Sequence, residues 1–168
     1  MWGFIVATGF YLFLLWLAYT RIFGAEYFPT SKRVALSAIK MLRLGKKDIF
    51  YDLGSGLGGV VFLASKKCKA YGIEIDFFRW LYAFVKGKII NSKAVFLLGS
   101  YNRYNIKDAN AIFVFLRQKT NQKIKAKLLK SRKGTKIVSY MHTFEDWKPV
   151  KTDKKNKLNL YVIGKGNK

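Results

Sequence analysis

Apolar positions change their spacing along the chain, and the changes mark out its elements. No charged residue occurs between Trp2 and Thr20, and the stretch Trp2 to Tyr19 is almost wholly apolar. About 20 such residues in a helix cross the hydrocarbon core of a bilayer, so residues 1–23 are expected to form a transmembrane anchor. Val34, Ala35, Ala38, Ile39, Met41 and Leu42 then recur at helical spacing, with Thr30 or Ser31 available as N-cap and Gly45 as the C-terminal stop. The apolar stretch Ile49 to Leu53 runs into glycines, as a strand entering a turn does. Further strands are expected over Ala70 to Ile75, Ala94 to Leu98, Ala109 to Leu116, Thr135 to Tyr140 and Leu158 to Ile163, with Trp147 to Lys151 pairing beside the last. Helices are expected over Phe77 to Ile90 and Gln118 to Lys130. Strands alternating with helices, one of them apolar on both faces, predict a Rossmann-like doubly wound α/β sheet over residues 24–168. The lysine-rich hairpin Lys151 to Lys157 reads as the mobile part.

Charge refines this picture. The first apolar stretch has no basic residue before it, is long for a signal peptide and is not followed by a small-x-small cleavage site, which favours a retained anchor. Arg21, Lys32, Arg33 and Lys40 follow it, placing the rest of this single-pass membrane protein on the cytoplasmic side. The formal net charge is +23, yet only seven of the 32 basic side chains are arginines and the lysines are dispersed. That distribution suits an anionic membrane surface better than nucleic acid. A lone Cys68 agrees with a reducing compartment, and no Cys or His pair at ligand spacing points to a metal.

The candidate chemistry lies at Asp52-Leu-Gly54-Ser55-Gly56-Leu-Gly58-Gly59, followed about twenty residues later by Glu74. Glycines between a strand and a helix let the backbone approach a ligand, and an acid ending the next strand can accept hydrogen bonds from ribose hydroxyls. The spacing satisfies both a dinucleotide pattern and the first motif of methyltransferases that bind S-adenosylmethionine. Asp52 favours the second, because a carboxylate is unfavourable beside a pyrophosphate and favourable beside a sulfonium or ammonium. A nicotinamide-dependent reductase also lacks room for a substrate domain and a suitably placed Tyr-x-x-x-Lys pair. Ligands of doubly wound sheets lie outside the carboxyl ends of the strands, which brings the Gly54 to Gly58 loop, Glu74, Ser100 with Tyr101, and the segment after Phe115 around one crevice.

Several motifs in order, namely Tyr27-Phe-Pro29-Thr30, Tyr51-Asp-Leu-Gly-Ser-Gly56, Gly72-Ile-Glu74, Ala109 to Leu116, Gly134-Thr-Lys-Ile-Val-Ser139, Trp147-Lys-Pro149 and Leu160-Tyr-Val-Ile-Gly164, resemble the archaeal and mitochondrial-type protein-lysine methyltransferases. The resemblance implies a class I methyltransferase sheet, S-adenosylmethionine as donor and a lysine of a protein as acceptor, with a membrane protein as the partner in the mitochondrial branch. It implies that Tyr27, Pro29 and Thr30 close over the cofactor, that the Asp52 to Gly58 loop holds its amino-acid part, Glu74 its ribose, and that Ser100 with Tyr101 lies near the adenine. Phe115, Leu116 and Trp147 would line the lysine channel, with His142 as a further candidate there. Leu57, Gly59 and Ser100 depart from the family's usual residues. Methylation of a lipid, quinone or RNA, and a catalytically silent basic module on the membrane surface, are the competing expectations.

Overall fold

The computed structural model describes residues 2–23 and 28–166, without the side chains of residues 12, 13 and 15–23. α1 covers Trp2–Phe23, and its described apolar side chains, Trp2, Phe4, Ile5 and Phe10 among them, are exposed. Among the described residues no helix is long and apolar enough to cross a membrane. The helix expected over residues 1–23 is present; its passage through a bilayer is not shown.

α2 (Lys32–Leu42) begins where the sequence offers a hydroxyl: Ser31 Oγ accepts from Val34 N at 3.4 Å. Its end differs from the expected glycine stop. Arg43 itself takes the left-handed conformation, at φ 51°, and its N–H returns to Lys40 O. Val34, Ala35, Ala38, Ile39 and Leu42 form the buried stripe, as their spacing requires.

The remaining elements are β1 (Ile49–Leu53), α3 (Gly59–Ala64), β2 (Lys69–Glu74), α4 (Phe77–Ile89), β3 (Val95–Leu98), a 3-10 turn at Tyr101–Arg103, β4 (Ala111–Val114), α5 (Gln118–Leu128), β5 (Lys136–Tyr140), β6 (Lys151–Asp153) and β7 (Leu158–Val162). They form a seven-stranded sheet in the order β3-β2-β1-β4-β5-β7-β6. β1 to β5 run parallel, whereas β7 is antiparallel to both β5 and β6. This is the doubly wound sheet expected from the alternation of elements. The order reverses between β1 and β4, so the ligand crevice belongs above their carboxyl ends.

Alternate side chains of the central strands feed two separate cores. Phe50, Phe113 and Val138 join α2, α3 and Ala83 of α4; Tyr51, Leu53, Ile112, Val114 and Ile137 join Ile124 and Leu128 of α5 together with Phe144, Trp147 and Tyr161. Period-two alternation puts these sets on opposite faces of the sheet. The β6–β7 hairpin, expected to be mobile, is fastened to α2 through Asn156 Nδ2, which donates to Ser37 Oγ at 3.2 Å and to Asp153 Oδ2 at 2.6 Å.

Candidate active site

The loop after β1 is shaped by positive backbone angles and anchored to its neighbour strand. Gly54, at φ 90°, and Ser55 both donate their N–H groups to Ile73 O, at 2.8 and 3.0 Å. A Cβ on Gly54 would stand 3.0 Å from Leu116 Cδ2, so glycine also admits the β4 end. Gly58, at φ 80°, is the N-cap of α3, and a Cβ there would meet the Phe96 ring at 2.6 Å. Only glycine meets both demands.

Glu74 ties this loop to the turn before α4. It is 4 % exposed; one carboxylate oxygen accepts from Gly56 N at 2.7 Å and the other from Asp76 N at 2.9 Å. Two backbone donors leave each oxygen a lone pair for further hydrogen bonds. Asp76 Oδ1 in turn accepts from Arg79 N as the α4 cap. Asp52 is 2 % exposed at the end of β1. Burial, and secondarily the charge of Glu74, hold its carboxyl well above the usual carboxylate range. Among the described residues no hydrogen-bond donor reaches it. A buried acid pair of this kind is stabilised by a cation placed beside it.

These groups open into a cavity of about 570 Å³ above the carboxyl ends of β1, β2 and β4. Its wall includes Pro29 and Thr30, the acids Asp52 and Glu74 with Gly54, Ser55 and Gly56, then Ser100, Tyr101, Phe115, Leu116 and His142. Ser139 Oγ donates to His142 O at 2.6 Å and holds that backbone, while Phe115 packs on Tyr140 with ring centroids 4.5 Å apart.

Two expected site residues, Gly58 and Trp147, are absent from this wall. Tyr27 lies outside the described residues. Gly58 is absent from the cavity wall and acts through the backbone turn and the Phe96 contact. Trp147 is a correction: it is 5 % exposed and packs against Phe144 and Tyr161, at 4.8 and 6.0 Å between centroids, away from the cavity. The chain there turns its indole into the core beside α5.

Leu57 and Gly59, expected as departures from the family's usual residues, also line the cavity, as does Phe28 beside Pro29. Arg117 and Thr120 at the start of α5 escaped the sequence reading. Arg79, Tyr82 and Lys86 reach the cavity from α4. Their i, i+3, i+7 spacing directly after Glu74 is a signal for one helix face turned to the ligand. The basic side chains of Arg79, Lys86 and Arg117 line the same cavity as Asp52 and Glu74.

Comparison with known proteins places this geometry. The family model described as the ANTKMT methyltransferase domain matches residues 52–151, and that of histone methylation protein DOT1 matches residues 19–79. A protein-lysine N-methyltransferase of Saccharolobus islandicus is 31 % identical over 150 residues, 82 % of this chain and 93 % of that protein. An RNA methyltransferase of Salinibacter ruber, solved with S-adenosyl-L-homocysteine, superposes with a TM-score of 0.76 at 28 % identity, over 81 % of this chain and 94 % of that one. The tRNA (m1A58) methyltransferase of Aquifex aeolicus shares the fold with a TM-score of 0.58 at 18 % identity.

Proposed function

The chain belongs to the ANTKMT methyltransferase domain family and is a class I methyltransferase that uses S-adenosylmethionine, and we propose that its acceptor is the side-chain amine of a protein lysine. The observation that carries the site assignment is Glu74, fixed by Gly56 N and Asp76 N beside the buried Asp52. An acidic floor of this shape suits a ligand with ribose hydroxyls at one end and cationic groups at the other. Glu74 would accept from the ribose and Asp52 would face the ammonium or sulfonium. Gly54, Ser55 and Gly56 would border the amino-acid part, Ser100 and Tyr101 the adenine, and Pro29 with Thr30 would cover it.

When bound, the cofactor supplies an electrophilic methyl on a sulfonium. What the chain supplies is an acceptor passage. Phe115 and Leu116 line the cavity with apolar surface that would exclude water, and His142 lines it too. An incoming lysine must lose its proton before its nitrogen attacks, and desolvation together with the like charges of Arg79, Lys86 and Arg117 favours the neutral amine. Positioning of amine and methyl supplies the rest of the rate. The lysine reading is supported by the 31 % identical relative, a protein-lysine N-methyltransferase.

A membrane setting belongs to the same reading. The uncharged run Trp2 to Thr20, with Arg21, Lys32, Arg33 and Lys40 behind it, supports a single-pass anchor over residues 1–23 and a cytoplasmic catalytic domain. A membrane-associated protein is then the nearest substrate. The similarity to an RNA methyltransferase, with the net charge of +23, favours RNA as the second reading.

One experiment separates them. The full chain is incubated with methyl-labelled cofactor and with membrane protein, extracted lipid and RNA in parallel, and labelled proteins are digested for mass spectrometry. Methyl-lysine in a membrane protein is the expected result. Label confined to RNA, or to lipid, would overturn the lysine assignment.

A further inference from the structure

α4 faces the opposite way from an ordinary surface helix. The residues it buries are the small ones, Ala83 and Gly87, and Trp80 Nε1 fixes that side by donating to Phe96 O at 3.1 Å. Tyr82, Val85 and Ile89 are 48 %, 45 % and 78 % exposed. At roughly 100° per residue these three fall within a stripe about 60° wide, on the side away from Ala83 and Gly87. A helix that hides small residues and displays large apolar ones presents a surface for something else to cover.

The charges around the stripe say what that is. Residues 77–93 contain Arg79, Lys86, Lys88 and Lys93 and no acid. Lys86 Nζ lies 5.4 Å from the Tyr82 ring centroid and Lys88 Nζ 5.6 Å from that of Phe84, so the ammonium groups flank aromatic surface. Apolar and aromatic residues bordered by lysines are the composition of a helix seated at a lipid interface, where each basic group near anionic headgroups adds attraction. A second copy of the chain fits poorly, because a two-fold contact through α4 sets these cations against their own equivalents. Tyr82 and Lys86 also line the catalytic cavity, so the apolar face is continuous with the crevice wall.

We infer that the exposed face of α4 docks on an anionic bilayer surface and brings the mouth of the cavity to the lipid headgroups. This rests on the anchored reading of residues 1–23 and adds to it: anchoring places the domain near a membrane, whereas α4 fixes which side faces it. A lysine presented at the headgroup level of a membrane protein is then the acceptor within reach.

The test uses the full chain with Cys68 replaced by Ala and a nitroxide label on one introduced cysteine, at Val85→Cys, at Ile89→Cys, or as reference at Thr152→Cys on β6. Each protein is reconstituted into vesicles of phosphatidylcholine alone or with phosphatidylglycerol, floated to establish attachment, and examined for collision with oxygen and with a water-soluble nickel chelate. With phosphatidylglycerol present, nickel collision at 85 and 89 should fall several-fold and oxygen collision rise, with 152 unchanged. Flotation with both labels still nickel-accessible would overturn the docking while leaving the anchor intact. Failure to float would overturn both. Equal protection in neutral vesicles would refute the choice of an anionic surface, and spin–spin broadening that disappears on dilution with unlabelled protein would replace the membrane with a second copy.

Discussion

Replacing Asp52 by Asn tests the electrostatic reading of the site at its more deeply buried acid. In the ligand-free fold the Asp52 carboxyl is held well above the usual range by burial and by the Glu74 charge. The unfolded chain therefore releases this proton at lower pH than the folded one. Between the two values the folded state binds more protons, so stability falls as pH rises. The slope from this one group is limited to about 1.4 kcal/mol per pH unit, which for a domain of this size shifts the unfolding temperature by about 2–4 °C per kcal/mol. Below the ordinary carboxylate range the contribution is fully present; above the raised value it is fully lost. Asn at this position removes the titration. Thermal unfolding of both proteins without cofactor should give curves that run together in acid and separate as pH rises, with Asp52→Asn the more stable at neutral pH. Calorimetric titration with S-adenosylmethionine should show the reverse order. Loss of a charge-assisted contact of about 1.5–3 kcal/mol weakens binding roughly 10- to 100-fold. Parallel stability curves across the whole range, or unchanged affinity, would refute the assignment of Asp52 as the buried charge that meets the cationic cofactor.

Glu74→Gln keeps the shape but leaves an amide where two backbone N–H groups need acceptors, so one of the Gly56 and Asp76 donors is orphaned at about 1–3 kcal/mol; denaturation should show part of this, offset by relief of Asp52, and cofactor affinity should fall at least tenfold. Unchanged affinity would remove Glu74 from the ribose site. Gly58→Ala forces a left-handed alanine and a Cβ 2.6 Å from the Phe96 ring, which together should cost about 2–4 kcal/mol in urea unfolding. Adding Phe96→Leu should recover the packing part alone; full recovery would show that the φ angle carries no strain. Trp147→Phe should stay within about 1 kcal/mol and leave KM for the protein substrate unchanged, whereas Trp147→Ala should cost about 3–5 kcal/mol through its cavity. A tenfold rise in KM in Trp147→Phe would return Trp147 to the acceptor channel.

What could be read from the sequence follows from how local each signal is. The apolar run Ala109 to Leu116 announced a buried parallel strand, and its core Ala111–Val114 is β4. Phe115 and Leu116 drop out because they turn into the cavity, which periodicity cannot distinguish from continuing strand. Asp52, Glu74 and the glycines were legible since a strand–turn–helix fixes their relative positions within one βαβ unit. Gly58 was assigned to the ligand because spacing shows only that a glycine is present; its requirement comes from Phe96, 38 residues away in β3. The end of α2 at Arg43 was missed for the opposite reason, a left-handed residue with no glycine to mark it. Trp147 sits in the connection between β5 and β6, where no period indicates which way a side chain points, and Tyr161 on β7 decides it. On α4 the helical pattern was visible, but not which side faces the core. Hydropathy assigns large apolar residues to the core by default, and here Ala83 and Gly87 hold that place.

The acid pair also bears on whether this fold still works as an enzyme. Leu57 and Gly59 bring no polar side chain to the loop, which by itself agrees with a surface module that has lost its chemistry. A module with no ligand, however, gains nothing from a buried Asp52 beside Glu74, since burial and the Glu74 charge disfavour its ionised form and no described donor compensates it. An uncharged side chain of similar size would remove that cost without disturbing β1. A cation in the cavity would offset that cost. Arg79, Lys86 and Arg117 line the same cavity, so the proposed cofactor, a zwitterion in its amino-acid part, would find basic as well as acidic partners there. Polar groups that Leu57 and Gly59 do not bring to the glycine loop are thus present on α4 and α5, and the unfavourable burial of Asp52 is what a site for a cationic cofactor would show.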